Sequence, residues 1–233
     1  MVAIRHTWDK TLRKMVTIRT GGHIKEEYAL MSSFDSPYII KPVELRGDSL
    51  VLPYFPERGA DGAAGYCTER LAWKFMHDVA SALVLIHEKG YVHNDIKPSG
   101  VLIGDECFVL CDFGACMANS KSGRTDADDI WSLGDAVFQM IMGMGIFNGK
   151  GRKAQKKDTV IPTLRRDIYS QELSDIIARC LSFNPQDRPK AEAVAAEAAR
   201  MMNERKGTKP EKHWCKPDSG MPYEDIWPES MTI

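Results

Sequence analysis

The residue types best suited to catalysis lie in one segment, from Tyr91 to Met117, with the sequence YVHNDIKPSGVLIGDECFVLCDFGACM. Its centre contains an apolar run, a polar turn and a second apolar run (VLI, GDE and CFVLC), which predict a β-hairpin. Because a hairpin brings its two ends together, Asp95 before it and Asp112 after it are expected to face one cleft. Two carboxylates there can take two roles, one orienting or deprotonating a hydroxyl group and one holding a divalent cation.

Two further residues of this segment suit the transfer of a phosphoryl group. Lys97 follows Asp95 by two positions and can place a point charge on the transferred group. Gly114 follows Asp112 and lets the backbone turn directly behind the cation ligand. The segment therefore predicts a site that transfers a phosphoryl group to a hydroxyl group.

The elements that would position this site change in character along the chain. The first 55 residues alternate β-rich runs with polar turns, which predicts two hairpins from the runs VAIRHTW, KMVTIR, YIIKPVEL and SLVLPYF. Between these hairpins, HIKEEYALMSSF places Ile24, Tyr28 and Met31 on one helical face. After the link PERGADGAAG the chain becomes helical, and TERLAWKFMHDVASALVLIHEKG is expected to run from an N-cap at Thr68 to a stop at Gly90. DDIWSLGDAVFQMIMG is apolar on nearly every face, which predicts a buried helix.

Composition limits the classes of protein to consider. With 233 residues and 43% hydrophobic composition, the chain can bury a core as one large domain or as two lobes. Lys plus Arg (31) nearly balance Asp plus Glu (32), so charge gives no argument for binding nucleic acid or an anionic membrane. No apolar run predicts a membrane span, and the six cysteines form no CxxC pair. We expect an intracellular protein with free thiols, in the cytoplasm or nucleus.

HNDIKP followed by DFG resembles the eukaryotic-type protein kinase family, in the Ser/Thr style because Lys97 follows the aspartate. DIWSLG and NPQDRP at family-like distances extend the resemblance over most of the chain. It implies an α+β, two-lobed protein-kinase-like fold. The expected parts are a truncated N-terminal β-sheet lobe with one helix (1–55), a helical C-terminal lobe that carries the catalytic-loop and DFG hairpin (56–206), and a C-terminal tail (207–233).

The resemblance also implies ATP and Mg²⁺ as cofactors and a protein substrate or protein partner. It makes Asp95 and Lys97 the catalytic residues and Asp112 the magnesium ligand. An aspartate equivalent to Asp129 anchors the backbone of the catalytic loop in the family. His93 and Phe113, with Met31, resemble the apolar column that links the lobes.

Four positions are expected to form the adenine pocket or to flank it. Thr17 would form its roof and Leu102 its floor, although both could be plain core residues. Leu52 and Tyr54 stand where the hinge between the lobes begins, so backbone groups there would bind adenine. The alternative is an ordinary linker, since Pro53 between them removes a donor.

Arg19 departs from the family pattern, because it stands where a lysine that grips phosphates is expected. Glu27 stands at the position of the glutamate that pairs with that lysine, although Glu26 could be the inward one. Arginine keeps the positive charge, but its planar guanidinium group is wider than an ammonium group. It cannot take the place of the lysine without displacing the nucleotide phosphates or the helix. Lys10 or Lys14 on the preceding hairpin could compensate.

Three other features depart from the family pattern. Gly100 replaces the asparagine that holds the second metal, leaving Ser99 either as a substitute ligand or as an ordinary turn residue. Asn94 replaces an arginine that usually receives an activation-loop phosphate. The Gly-rich loop that covers the nucleotide phosphates is missing before VAIRHTW, and a chain trimmed at its start would look the same.

The segment that presents a peptide substrate is also short. Only 17 positions separate Asp112 from Asp129, and the family's APE motif does not occur between them. Arg188 pairs with the APE glutamate in the family, so it needs another acidic partner here. Asp126 and Asp128 are the candidates, and the alternative is that Arg188 is exposed.

The sequence leaves two functions open. We expect a degenerate kinase-like domain, a pseudokinase or very weak kinase, that binds ATP and acts through protein interaction. The alternative is an active ATP-dependent Ser/Thr kinase that transfers phosphate to a protein hydroxyl group with one-metal chemistry.

Overall fold

The computed structural model describes residues 3–56, 59–65, 67–146 and 155–204. The N-terminal part is a four-stranded antiparallel sheet in the order β1-β2-β4-β3, crossed by one helix. Its elements are β1 (Ala3–Asp9), β2 (Lys14–Thr20), α1 (Ile24–Ser32), β3 (Glu44–Arg46) and β4 (Ser49–Pro53). The predicted tail, 207–233, lies outside the described residues.

The hairpin of β1 and β2 is closed by a buried carboxylate. Asp9 accepts hydrogen bonds from the backbone N–H groups of Thr11 and Leu12, both at 2.9 Å, and pairs with Arg46 at 2.5 Å. β2 is the central partner of β1 and β4, and its alternation buries Val16 on one face while it turns Thr17 and Arg19 to the other.

Helix α1 follows β2 after a short connection through Gly21 and Gly22, at φ 85° and 79°, a region that glycine adopts without steric cost. The helix buries Ile24, Glu27 and Met31. The sequence predicted Tyr28 on this inward face, whereas Tyr28 is only half-buried. The inward face of α1 instead includes the carboxylate of Glu27, which lies in the first turn of the helix.

The C-terminal part is mainly helical. Its helices are α2 (Glu69–Glu88), α3 (Asn119–Ser122), α4 (Asp126–Met142), α5 (Gln171–Cys180) and α6 (Ala191–Glu204). Short strand pairs join β5 (Tyr91–Val92) to β8 (Met117–Ala118) and β6 (Val101–Ile103) to β7 (Phe108–Leu110). None of the helices in the described ranges has the length and apolar character needed to cross a membrane.

Helices α2 and α4 form the centre of this part, as their patterns predicted. Thr68 caps α2 by accepting from the Leu71 N–H at 3.2 Å, and Gly90 at φ 74° follows the end of the helix. Within α4, a Cβ on Gly134 would lie 2.7 Å from the Cys180 Cβ. The glycine of DIWSLG thus lets α4 approach α5 closely.

The segment YIIKPVEL connects the two parts rather than forming one long strand. Only Glu44–Arg46 is a strand, whereas Ile40 donates to the Leu110 carbonyl at 3.0 Å and Leu110 donates to the Tyr38 carbonyl at 2.8 Å. The prediction of a strand over the whole run was wrong. Ile39 and Ile40 are buried in the core, and the half-buried Tyr38 and Leu45 pack against it.

Candidate functional site

A cleft of about 700 Å³ lies between the sheet and the C-terminal part. It is lined by seven of the nine residues that the sequence selected: Thr17, Arg19, Glu27, Leu52, Asp95, Leu102 and Asp112. The other two flank this lining. Lys97 pairs with Asp95, and the Tyr54 ring packs edge-on against His6 with 5.2 Å between centroids.

The roof of the cleft contains two residues that the sequence analysis missed. In the β1–β2 register, Ile4 lies opposite Arg19 and His6 lies opposite Thr17, and both line the cleft. The His6 Nδ1 lies 3.0 Å from the Thr17 hydroxyl. Strand alternation from Ile4 would have revealed them, because cross-strand neighbours share one face.

The catalytic loop is held by Asp129 at the start of α4. Its carboxylate accepts from the backbone N–H groups of His93 and Asn94, both at 2.8 Å, and from the His87 Nε2 at 2.9 Å. Asp129 is 1% exposed, so these groups replace water around its charge. This is the anchoring role that the resemblance implied.

Asp95 and Lys97 form an ion pair on this loop, with 2.5 Å between Lys97 Nζ and Asp95 Oδ2. The hydrogen bond to Asp95 raises the pKa of Lys97, so its ammonium group stays charged at neutral pH. Both side chains are partly exposed, at 42% and 39%. The pair is therefore open to solvent, and Asp95 belongs to the lining of the cleft.

Asn94 uses its side chain to connect the catalytic loop to the DFG turn. It adopts φ 68°, which asparagine tolerates better than most residues, and its amide donates to the Ala115 carbonyl at 3.0 Å. Arg124 in turn donates to the Asn94 carbonyl at 2.8 Å. The two contacts link the loop to both ends of the short segment before α4.

The DFG turn places Phe113 inside the core and Asp112 at the cleft. Phe113 is 2% exposed and its ring centroid lies 5.0 Å from the ring of His93 and 6.1 Å from the ring of Phe34. Burial lowers the pKa of His93, which favours the neutral imidazole. Phe34 was not singled out from the sequence, and Met31 is buried in the same cluster.

Arg19 contacts two carboxylates at once. Its Nη1 forms an ion pair with Glu27, and its Nη2 lies 3.4 Å from the Asp112 Oδ1. Burial raises the pKa of Glu27, an effect that the charge of Arg19 partly offsets. Glu26 is exposed, so it is not the inward glutamate.

The compensation offered by Lys10 and Lys14 is not seen. Both lysines are exposed on the β1–β2 hairpin, and neither belongs to the lining of the cleft. Arg19 is therefore the cation that the β2 strand itself supplies to the cleft.

The donor set does not fit a magnesium pair. Gly100 is buried and uses its backbone only, donating to the Lys97 carbonyl at 3.0 Å and accepting from the Cys111 N–H at 2.9 Å. In the described part of the chain, no group of three or more His, Cys, Asp or Glu side chains could hold a metal ion. Asp112, the expected ligand, already faces Arg19.

Arg188 is satisfied mainly by backbone carbonyl groups. Its guanidinium donates to the carbonyls of Ala127 at 2.8 Å and Ser182 at 2.9 Å, and lies 3.5 Å from the Asp128 Oδ1. Of the two predicted acidic partners, Asp128 is confirmed. The prediction of Asp126 as a partner was wrong, because Asp126 is exposed and accepts a hydrogen bond from the Asn119 amide instead.

Comparison with known proteins agrees with this arrangement. The family model described as protein kinase domain matches residues 2–127, more than half of the chain. The chain belongs to the protein kinase domain family.

Two curated relatives show the extent of the likeness. Calcium-dependent protein kinase 5 of Plasmodium falciparum is 28% identical over 208 residues, which cover 73% of this chain but 36% of that protein. The Aurora kinase of Encephalitozoon cuniculi is 24% identical over 214 residues, covering 76% of this chain and 77% of that kinase. The chain thus spans little more than a third of the first relative.

Solved structures share the fold. The Rad53 kinase domain with SCD2 has a TM-score of 0.66 at 19% identity, over 82% of this chain and 84% of that chain. The same protein in complex with AMPPNP has a TM-score of 0.64 at 20% identity, over 83% of this chain and 84% of that chain. The predicted α+β, two-lobed kinase-like fold is confirmed.

Proposed function

We propose that the chain is a degenerate protein kinase domain that binds ATP in the cleft and acts through protein interaction, with phosphoryl transfer absent or very weak. The observation that carries this proposal is the fork of Arg19 between Glu27 and Asp112. It engages one carboxylate oxygen of Asp112, the residue that the resemblance makes the magnesium ligand.

Nucleotide binding is supported by the shape and lining of the cleft. A volume of about 700 Å³ lies within the range of roughly 300–1,000 Å³ typical of small-molecule sites. Ile4 and Thr17 form the roof of the cleft and Leu102 the opposite side, with Leu52 at the edge of β4. The similar Rad53 domain has been solved with AMPPNP.

Weak chemistry follows from the groups that handle phosphate. Loss of a single preorganised charge contact in an active site slows turnover by roughly 10²–10³. Here Gly100 supplies no side-chain ligand and Asp112 is engaged by Arg19, and such losses within one site do not simply add. What the chain keeps is its fold, which a binding module requires.

An active Ser/Thr protein kinase is the second candidate. It is favoured by the Asp95–Lys97 pair and by the anchoring of their loop on Asp129. In that function Asp95 would orient the substrate hydroxyl and accept its proton, and Lys97 would stabilise the transferred group. Asp112 would first have to release Arg19.

The proposed binding of ATP in the cleft is tested by thermal-shift measurements with ATP on the wild type and on Thr17→Phe. A ligand that binds only the folded state raises its stability by RT ln(1 + [L]/Kd), so ATP should raise the Tm of the wild type. A phenylalanine in the roof should remove that rise while the protein stays folded. Equal shifts for both proteins, or no shift for the wild type at millimolar ATP, would contradict binding in this cleft.

The proposed function through protein interaction is tested by capturing protein partners with the wild type and with Asp95→Asn as baits. Because a binding module does not need the carboxylate, both baits should retain the same partners. Asp126→Asn, an exposed change on α4, is the matched control. Partners lost with Asp95→Asn but kept with Asp126→Asn would argue against a function by interaction alone.

A further inference from the structure

The guanidinium of Arg19 is held in a fixed place beside Asp112. Arg19 is 9% exposed, its partner Glu27 is 4% exposed, and the contact from its Nη2 to the Asp112 Oδ1 is 3.4 Å. A Cβ on Gly114 would lie 2.9 Å from the Nη2 of Arg19. The glycine of DFG thus leaves the space that the wide guanidinium needs, in addition to allowing the turn.

Each carboxylate named in the cleft contacts a cation of the chain, and Arg19 is shared by two of them. Asp95 faces Lys97 at 2.5 Å, and Asp112 and Glu27 share Arg19. A polyphosphate that enters a cleft with unmatched carboxylates is repelled unless a divalent cation comes with it. Here the positive charge beside Asp112 is present before any ligand arrives.

We propose that Arg19 takes the place of a divalent cation at Asp112, so that the cleft binds nucleotide phosphates without a metal. The inference deepens the proposed function and rests on its nucleotide binding. A guanidinium carries five N–H donors, so contacts to two carboxylates leave others for phosphate oxygens. Gly100 agrees with this assignment, because a site that uses no metal needs no second metal ligand.

The test compares the affinity for ATP in excess EDTA and in excess magnesium chloride, by isothermal titration of the wild type and Arg19→Lys. The wild type should bind ATP with the same Kd in both buffers. Lysine is shorter and has its three donors on one nitrogen, so it cannot reproduce the contacts that the two terminal nitrogens of Arg19 make with Glu27 and Asp112. Arg19→Lys should therefore bind about tenfold more weakly in EDTA than in magnesium, the change that one charge-assisted hydrogen bond produces.

Two further variants distinguish this effect from a nonspecific loss of ATP binding. Arg5→Lys makes the same change at an exposed position on β1, whose side chain alternates to the face opposite Ile4, and should leave both Kd values unchanged. Gly114→Ala places a methyl group against the Arg19 guanidinium and should introduce the same magnesium dependence as Arg19→Lys.

The outcomes distinguish the inference from the proposed function. Wild-type binding that requires magnesium would overturn the inference and leave nucleotide binding intact. Magnesium-independent binding by the wild type and by Arg19→Lys alike would overturn the role of Arg19. Absence of ATP binding in both buffers would overturn the nucleotide part of the proposed function and the inference with it.

Discussion

At the scale of single residues, the proposed loss of metal-dependent chemistry rests on two positions. Arg19 contacts Asp112 from the β2 side, and Gly100 has no side chain to offer a ligand on the catalytic-loop side. A substitution that restores only one of them leaves the other obstacle in place. The two positions are therefore best tested in combination.

Gly100→Asn should restore a metal ligand in the Arg19→Lys background, where the Nη2 contact to Asp112 is removed. A Cβ at this position would lie 3.6 Å from the Asp95 carbonyl oxygen and 3.7 Å from the Lys97 Cγ, which are ordinary contacts. The affinity for Mn²⁺ in the presence of ATP should rise about tenfold, measured by titration calorimetry. Gly100→Ala is the control, and an equal rise with alanine would exclude the amide oxygen as the cause.

His93 should make stability depend on pH. Its pKa in the folded protein is lowered by burial, so the unfolded chain binds the proton more readily. The stabilisation is complete above the unfolded pKa of about 6.5 and is lost as pH falls from there toward the folded pKa, by up to about 1.4 kcal/mol per pH unit. Urea unfolding of the wild type between pH 7 and 5 should show this slope.

His93→Leu should flatten that slope, because it removes the titrating group while keeping an apolar contact for Phe113. His23→Leu, at an exposed position before α1, serves as the control and should keep it. An unchanged slope in His93→Leu would show that other groups cause the pH dependence.

At the scale of elements, the N-terminal turn of α4 connects the catalytic loop to the helical core. Asp128 closes a capping box with Thr125 and approaches Arg188, and Asp129 accepts two loop N–H groups. One turn of helix thus positions Asp95 and satisfies a buried guanidinium. This arrangement serves the fold whether or not the site transfers phosphate.

Asp129→Ala should destabilise the protein strongly. It leaves two buried backbone donors without their acceptor, and each such loss costs about 1–3 kcal/mol. We expect a loss of about 3 kcal/mol in the free energy of unfolding by urea. Asp126→Ala lies in the same turn but is exposed, and it should change stability by less than about 0.5 kcal/mol. Similar losses in both variants would contradict the anchoring role.

At the scale of the whole molecule, local patterns predicted most elements. Thr68 and Gly90 marked the limits of α2, and alternation marked the β6–β7 hairpin, because these signals depend on neighbours in sequence. The run YIIKPVEL was misread because its backbone at Tyr38 and Ile40 pairs with Leu110 of the C-terminal part rather than along one sheet.

The sequence predicted most members of the candidate site and the pairing of Arg19 with Glu27, but not the lining residues Ile4 and His6 or the contact of Arg19 with Asp112. Motif spacing selected Arg19, Glu27 and Asp112, and it placed them at one cleft. The fork of Arg19 between the two carboxylates depends on the φ of 62° at Asp112 and on the space at Gly114. Such geometry is set by tertiary packing, so the sequence gives no signal for it.

Whether the chain is a degenerate domain or an active kinase is decided by measuring phosphoryl transfer from ATP to a protein substrate in the presence of magnesium. The assay compares the wild type, Asp95→Asn, and the double variant Arg19→Lys/Gly100→Asn. We predict that the wild type transfers no more phosphate than Asp95→Asn and that the double variant exceeds both. Transfer by the wild type well above that of Asp95→Asn would contradict the account and identify the chain as an active kinase.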